Sequence, residues 1–380
     1  MSEQKGKPDY VLLGTVLALS TIGLIMIASA SSVFSFQRFD DPAFLFRRQL
    51  ISFIIGLAAL LIALRIDYRI WRRFTLPLFL LTLGLLLAVF IPGLGTEFLG
   101  ASRWIQIGGF TFQPTEIAKL TFILYLAAWL QARQKHMGTI ASGLVPFLIF
   151  LGILALLVMA QPDLGTMIII GITAILVYFL AGAPWRHIGA VFGLSAASFA
   201  ILVLIAPYRA ARLNVFLNPE LDPQGIGYHI NQALLAIGSG GIFGLGLGHS
   251  RQKFNYLPEA SGDSIFAVIA EELGLIFGLV ILGLFVFFFI RGMGIARSAK
   301  DPFARYVAAG ITIWLSVQAM INIGAISGLL PLTGIPLPFI SLGGTALIVS
   351  LGAVGILLNI SKETGRQGSR PQWLTRRRSS

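Results

Sequence analysis

The chain has 380 residues, of which 56% are apolar and only 12% charged, and it carries a net charge of +12. A water-soluble fold of this length could not hide so much apolar surface, so an ordinary soluble enzyme, a disordered chain and a nucleic-acid binder are excluded, and lipid is the main solvent. With no cysteine there is no disulfide, no thiolate metal site and no cysteine nucleophile.

A helical span needs about 20 mainly apolar residues. Ten such stretches are predicted, near 10–32, 49–66, 74–91, 115–131, 143–160, 164–181, 188–206, 264–290, 303–326 and 341–359. The fold class is therefore an all-α polytopic membrane protein. A transmembrane domain over 10–359 follows the short N-terminus 1–9 and precedes a basic tail, 360–380. The first stretch, Tyr10–Ser32, is longer than a signal-peptide core and has no clear cleavage site, so it is read as retained. The fifth and sixth stretches are separated only by the turn at Pro162–Asp163.

Lys and Arg set the orientation. With the N-terminus in the cytoplasm, nineteen of the 28 cations fall in inner segments, eight in outer ones, and Lys119 inside the fourth span. Both termini are thus expected in the cytoplasm, and Arg376–Arg378 in the tail read as a topology and anionic-lipid signal.

Two outer segments, 92–114 and 207–263, are too long and too polar to be simple turns, and long loops usually carry function. The second holds a local helical pattern, Asn231–Ile237, and a glycine-rich run, Gly238–Gly248. That run lacks the phosphate-loop pattern, since His249 stands where a Lys is required and no strand precedes it. It reads as a flexible segment or a place of close helix packing. The four histidines have no metal-ligand spacing and are expected at the surface.

Charge inside a span is costly, and so is either paired or functional. Glu116 and Lys119 lie three apart on one helical face. They form either a self-satisfying ion pair or a pair facing a polar cavity, with Lys119 available to an anionic substrate. Glu271 and Glu272 are expected to be structural, hydrogen-bonded against neighbouring helices. Asp263 could cap the next helix, Arg103 beside Trp104 could anchor at the interface, and Asp163 could be a turn residue.

Four strings stand together on the outer side: GASRWIQIGGFTFQPTEIAKL from Gly100, QPDLGT from Gln161, a block from Gly227 to Gly274 containing GLGHSRQKFNYLPEASGDSIFAVIAEELG, and GIPLPFISLGGTALI from Gly334. In order and spacing they resemble the shape, elongation, division and sporulation (SEDS) family of peptidoglycan polymerases, which includes FtsW and RodA. The stretch GLGHSRQKFNYLPEA is more similar to the FtsW branch. The resemblance implies a ten-span glycosyltransferase that polymerises lipid II on the outer face of the bacterial plasma membrane. It also implies a class B penicillin-binding protein as transpeptidase partner, alongside other division or elongation proteins. The family's essential acid carries over to Asp263. The family usually reads Thr-Asp-Phe there, whereas this chain reads Gly262-Asp263-Ser264. Glu259 matches the acid of the Leu-Pro-Glu motif, and Arg103, Glu116, Lys119 and Asp163 match polar positions that line the family's central cavity.

The implied reaction suits these residue types. A sugar hydroxyl is a poor nucleophile, and a carboxylate base within reach speeds its attack by about 10²–10⁴. Asp263 is the expected base. Single displacement inverts the anomeric centre. The departing polyprenyl diphosphate needs positive charge, for which Arg103, Lys119, Arg251 and Lys253 are the candidates. A divalent cation, Mg²⁺ or Mn²⁺, is expected to be held largely by the diphosphate and one or two carboxylates, with no organic cofactor. The alternative function is a transporter that flips lipid II. A non-catalytic scaffold for division proteins is the third reading.

Overall fold

The computed structural model describes residues 6–98, 101–108, 110–205, 211, 214–216, 222 and 225–364. The tail arginines Arg376–Arg378, with Arg209, Arg212 and Glu220 of the long loop, lie outside the described residues.

Each of the ten apolar stretches coincides with a helix: α1 (Tyr10–Ala30), α3 (Phe44–Arg65), α4 (Tyr68–Ala88), α5 (Pro114–Arg133), α6 (Val145–Ala160), α7 (Leu164–Leu180), α8 (Trp185–Ile205), α10 (Ile265–Ser298), α11 (Pro302–Ile326) and α12 (Gly344–Thr364). Two more helices lie between them, α2 (Ser32–Phe39) and α9 (Ile226–Gly240). Among the described residues, seven helices are long and apolar enough to cross a membrane: α1, α3, α4, α6 with its leading turn, α10, α11 and α12. The chain is a multi-pass membrane protein. The helix starts follow from their caps, because a side-chain oxygen satisfies an N–H that the first turn leaves open. Asp9 accepts from Leu12 N, Asp67 from Arg69 N, Asp163 from Thr166 N and Asp301 from Phe303 N.

Helix α11 is the hub. It is buried on nearly every side and packs against α5, α7, α10 and α12. Helices that share a lipid solvent gain little from hiding apolar surface and associate through close contact of small residues. The α3–α12 pair does this: a Cβ added to Gly355 would stand 2.4 Å from Leu60 O.

Three strands form an antiparallel sheet in the first of the two long polar segments: β1 (Gly95–Phe98), β2 (Ala101–Ile107) and β3 (Phe110–Phe112), in the order β1-β2-β3. The register pairs Thr96 with Trp104 and Ile105 with Phe112, with an irregularity between Thr96 and Glu97.

Helix α10 is broken. Gly274 has φ 80° and ψ 176°, a backbone conformation that glycine alone adopts readily. The glycine-rich run fills the break. Leu245 N and Gly246 N donate to Glu271 O and Glu272 O, while Leu275 N and Ile276 N donate to Gly241 O and Ile242 O. Helix interruption frees these groups, and the run returns their partners. The approach is so close that a Cβ on Gly244 would lie 2.3 Å from Glu272 O, and one on Gly274 would lie 2.4 Å from Gly244 N. Before the break, Ile265–Glu272 are buried all round; after it, Leu275, Ile276, Leu279 and Val280 are exposed.

Candidate active site

The turn before α10 holds the candidate acid. Glu259 O accepts from Gly262 N at 2.9 Å and from Ser264 N at 3.3 Å, which closes the turn over residues 259–264. Glu259 takes φ +49° and its side chain is exposed at the rim. Gly262 makes room for it, since a Cβ there would stand 3.0 Å from Glu259 Oε2.

Asp263 is partly buried, and its backbone is pinned from α11: Asn322 Nδ2 donates to Asp263 O at 2.8 Å and to Ile335 O at 2.7 Å. Leu342 N donates to Ser261 O, so the segment entering α12 also holds this turn. Burial, and next the negative charge of Glu259, push the Asp263 carboxyl from the ordinary carboxylate range up to about 7, against hydrogen bonds from Ser264 and its own N–H. A carboxyl so poised is suited to proton transfer near neutral pH.

The second polar group lies one helical turn away along α11. Gln318 and Asn322 are four apart, about 6 Å of rise. Lys119 Nζ donates to Glu116 Oε1 at 2.8 Å and to Gln318 Oε1 at 2.9 Å, and it lies 5.2 Å from the centre of the Trp314 ring. Gln318 Nε2 donates onward to Pro336 O. Lys119 is 2% exposed and Glu116 3%, so the pair is buried and interacts strongly. Glu116 Oε2 and Asn322 Oδ1 are buried acceptors without a hydrogen-bond partner among the described residues. An unmet buried acceptor costs about 1–3 kcal/mol, which a bound hydroxyl would offset.

The other expected site residues sit in the surrounding frame. Arg103, on β2, donates through Nε to Gln161 O at 2.9 Å and through Nη2 to Pro162 O at 2.6 Å, docking the sheet on the α6–α7 turn. Asp163 is the cap of α7. Lys253 is buried and donates to Gly248 O, Ser29 Oγ and Glu272 Oε1 at 2.6, 3.1 and 3.1 Å. Arg251 is exposed, while its backbone N–H donates to Glu271 Oε1. Glu271 and Glu272 are structural anchors, but they grip the loop after the glycine run, through Ser250, Arg251 and Lys253, and among the described residues only Ser29 on a neighbouring helix.

Of the four histidines, His136 and His249 are exposed as expected, whereas the other two correct the surface expectation. His187 is 1% exposed and bonds the Tyr178 hydroxyl through Nδ1 at 3.0 Å. His229, on α9, is partly buried, with Nε2 2.6 Å from Ser264 Oγ. Sequence reasoning also missed Gln318 and Asn322. Their signal was present: two amides four apart on one face of a span otherwise almost wholly apolar.

Among the described residues no three His, Asp or Glu side chains converge on one point.

The class defined so far is a polytopic helical membrane protein with a poised carboxyl on a turn held one helical turn along α11 from a buried ion pair. The chain belongs to the FtsW/RodA/SpoVE family of cell cycle proteins, whose model matches residues 10–366. It is 45% identical over 353 residues to "Probable peptidoglycan glycosyltransferase FtsW" of Geobacter metallireducens, covering 93% of this chain and 94% of that one. It is also 45% identical to stage V sporulation protein E of Bacillus subtilis, over 95% of this chain and 99% of the relative. Among solved structures it is similar to a chain of a peptidoglycan synthase complex that coordinates polymerization and crosslinking (TM-score 0.78, 27% identity, 94% and 98% covered). It is likewise similar to the rod shape determining protein RodA of Thermus thermophilus (TM-score 0.69, 26% identity, 94% and 97% covered).

Proposed function

We propose that this chain is an FtsW-type peptidoglycan glycosyltransferase, which polymerises lipid II at the outer face of the plasma membrane, with Asp263 as its general base. The observation that carries the reading is the Asp263 carboxyl, partly buried on a turn pinned by Asn322 and poised at about 7. In the step, the acceptor sugar's 4-hydroxyl loses its proton to Asp263 as its oxygen bonds the donor's anomeric carbon. The bond from that carbon to the diphosphate oxygen breaks, and the polyprenyl diphosphate leaves with the electron pair. Attack from the face opposite the leaving group inverts the centre.

Of the four candidate cations, Arg251 is the one we assign to the leaving diphosphate, because it is exposed on the loop that leads to the turn and its guanidinium can fork onto two phosphate oxygens. Lys119, Lys253 and Arg103 are committed to carbonyl, amide and carboxylate partners, and we assign them to holding the cavity. Any Mg²⁺ or Mn²⁺ would arrive on the substrate's diphosphate.

The same reading takes all ten apolar helices as crossings, both termini as cytoplasmic, and segments 92–114 and 207–263 as extracytoplasmic. A crosslinking partner follows, a class B penicillin-binding protein, since the synthase complex that this chain resembles joins the two activities.

The test is glycan synthesis from labelled lipid II by the purified full-length protein. Asp263→Asn should lower the rate by at least 10²-fold, the usual worth of a general base. The base must be ionised, so the wild-type rate should rise as pH climbs through about 7 and level off above it. An Asp263→Asn protein that polymerises normally sinks the assignment.

A further inference from the structure

The residue after the candidate base has a chemistry of its own. Ser264 is wholly buried, and its Oγ has three neighbours: His229 Nε2 at 2.6 Å, Pro258 O at 2.9 Å and Asp263 Oδ1 at 3.4 Å. A serine hydroxyl carries one proton and two lone pairs. The Pro258 carbonyl and an ionised Asp263 can only accept. The serine proton therefore serves one of these two, and His229 must be the donor on the third side, through Nε2–H. If the serine gave its proton to His229 instead, its lone pairs would face both acceptors with nothing between them.

The two oxygens of Asp263 have different surroundings. Oδ1 faces Ser264. Oδ2 faces Gly334, where φ is +67° and where the position of a Cβ would be 3.8 Å away. Outside its chain neighbours, no other described atom lies within 4 Å of that position, and residues 335 and 336 are held beside it by Asn322 and Gln318.

We propose that Ser264, steadied by His229, is a positioning residue for Asp263: it engages Oδ1 and leaves Oδ2 to take the acceptor hydroxyl's proton in the gap beside Gly334. The inference rests on Asp263 being the base. It gives a role to the departure Gly262-Asp263-Ser264 from Thr-Asp-Phe, because a phenylalanine at 264 could form none of these bonds. Once Oδ2 is protonated the carboxyl is neutral, and the serine proton can turn to Pro258 O, which is already the nearer acceptor. The hydroxyl also lowers the Asp263 pKa against the burial and the Glu259 charge that raise it, so its loss should be visible in the pH profile.

The experiment is polymerisation of labelled lipid II by the full-length protein from about pH 5.5 to 9, the window that brackets the base. Ser264→Ala should lower kcat about tenfold, leave KM unchanged, and move the rising limb to higher pH by about 0.5–1. Ser264→Thr, which keeps the hydroxyl, should restore both. His229→Leu should reproduce the loss in part, and His229→Gln, which keeps a donor, should recover it. If Ser264→Ala does not fold, the His229 pair decides the matter in the same way.

Equal losses for Ala and Thr, or a limb that stays in place, would overturn the proposal. An inactive Asp263→Asn beside an unshifted Ser264→Ala sinks the positioning role alone. An active Asp263→Asn sinks the base, and this inference with it.

Discussion

Lys119 illustrates how a buried cation is held in a membrane protein. Its ammonium group has a carboxylate at 2.8 Å, an amide oxygen at 2.9 Å and the face of Trp314 at 5.2 Å. Each partner offsets part of the cost of leaving water. Removing the cation alone strands the Glu116 carboxylate. Lys119→Met should therefore destabilise the protein by about 3–5 kcal/mol, read as a lower unfolding temperature in detergent. The double change Lys119→Met with Glu116→Gln should recover much of that loss. A Lys119→Met protein as stable as the parent would mean that the pair is hydrated rather than buried. The spacing of Glu116 and Lys119 was legible because i,i+3 is a local relation. Their tie to Gln318 was not, because residue 318 lies six helices along the chain and nearly two hundred positions away. Asp263 could be picked out by resemblance, yet Asn322, which pins its backbone, and His229, which reaches its neighbour Ser264, come from two separate helices.

At the level of elements, the glycine-rich run shows what pattern reading can and cannot supply. Its composition pointed to close packing, and its failure to match a phosphate loop was evident from His249. What it packs against, the break at Gly274, could not be read, because a single glycine inside an apolar stretch looks like any other. The sheet over residues 95–112 was missed for a related reason: its strands are short and interrupted by turns. The interlock predicts that Gly274→Ala is costly. The backbone term alone is about 1–3 kcal/mol for a non-glycine residue in such a conformation, and the new Cβ would also collide with Gly244 N. Gly283→Ala, in the same helix with nothing within 4 Å of its Cβ, should be near neutral. Thermal unfolding of the two variants provides the comparison, and equal stability would refute the interlock.

Across the whole molecule, the helical stretches were legible because hydropathy is additive along the chain and lipid imposes a fixed length. Their ends shifted by a few residues where a proline or an aspartate supplied the start, as at Pro114 and Asp301. The sidedness proposed above can be checked cleanly, since the chain has no cysteine. Tyr256→Cys and Lys135→Cys both place a thiol at an exposed position. In intact cells an impermeant maleimide should label the first and spare the second until the membrane is opened. The reverse pattern would invert the topology and remove Asp263 from the outer face.

The broken helix also bears on how the chain is made. The carbonyls of Gly241 and Ile242 find their donors in Leu275 and Ile276, which leave the ribosome more than thirty residues later. Unpaired peptide groups are strongly excluded from hydrocarbon. The glycine segment must therefore wait in the wet headgroup layer while synthesis continues, and it can settle only when its late-arriving complement has threaded through the translocon. Biogenesis of this face is in this sense a two-stage event, with its last stage timed by Gly274.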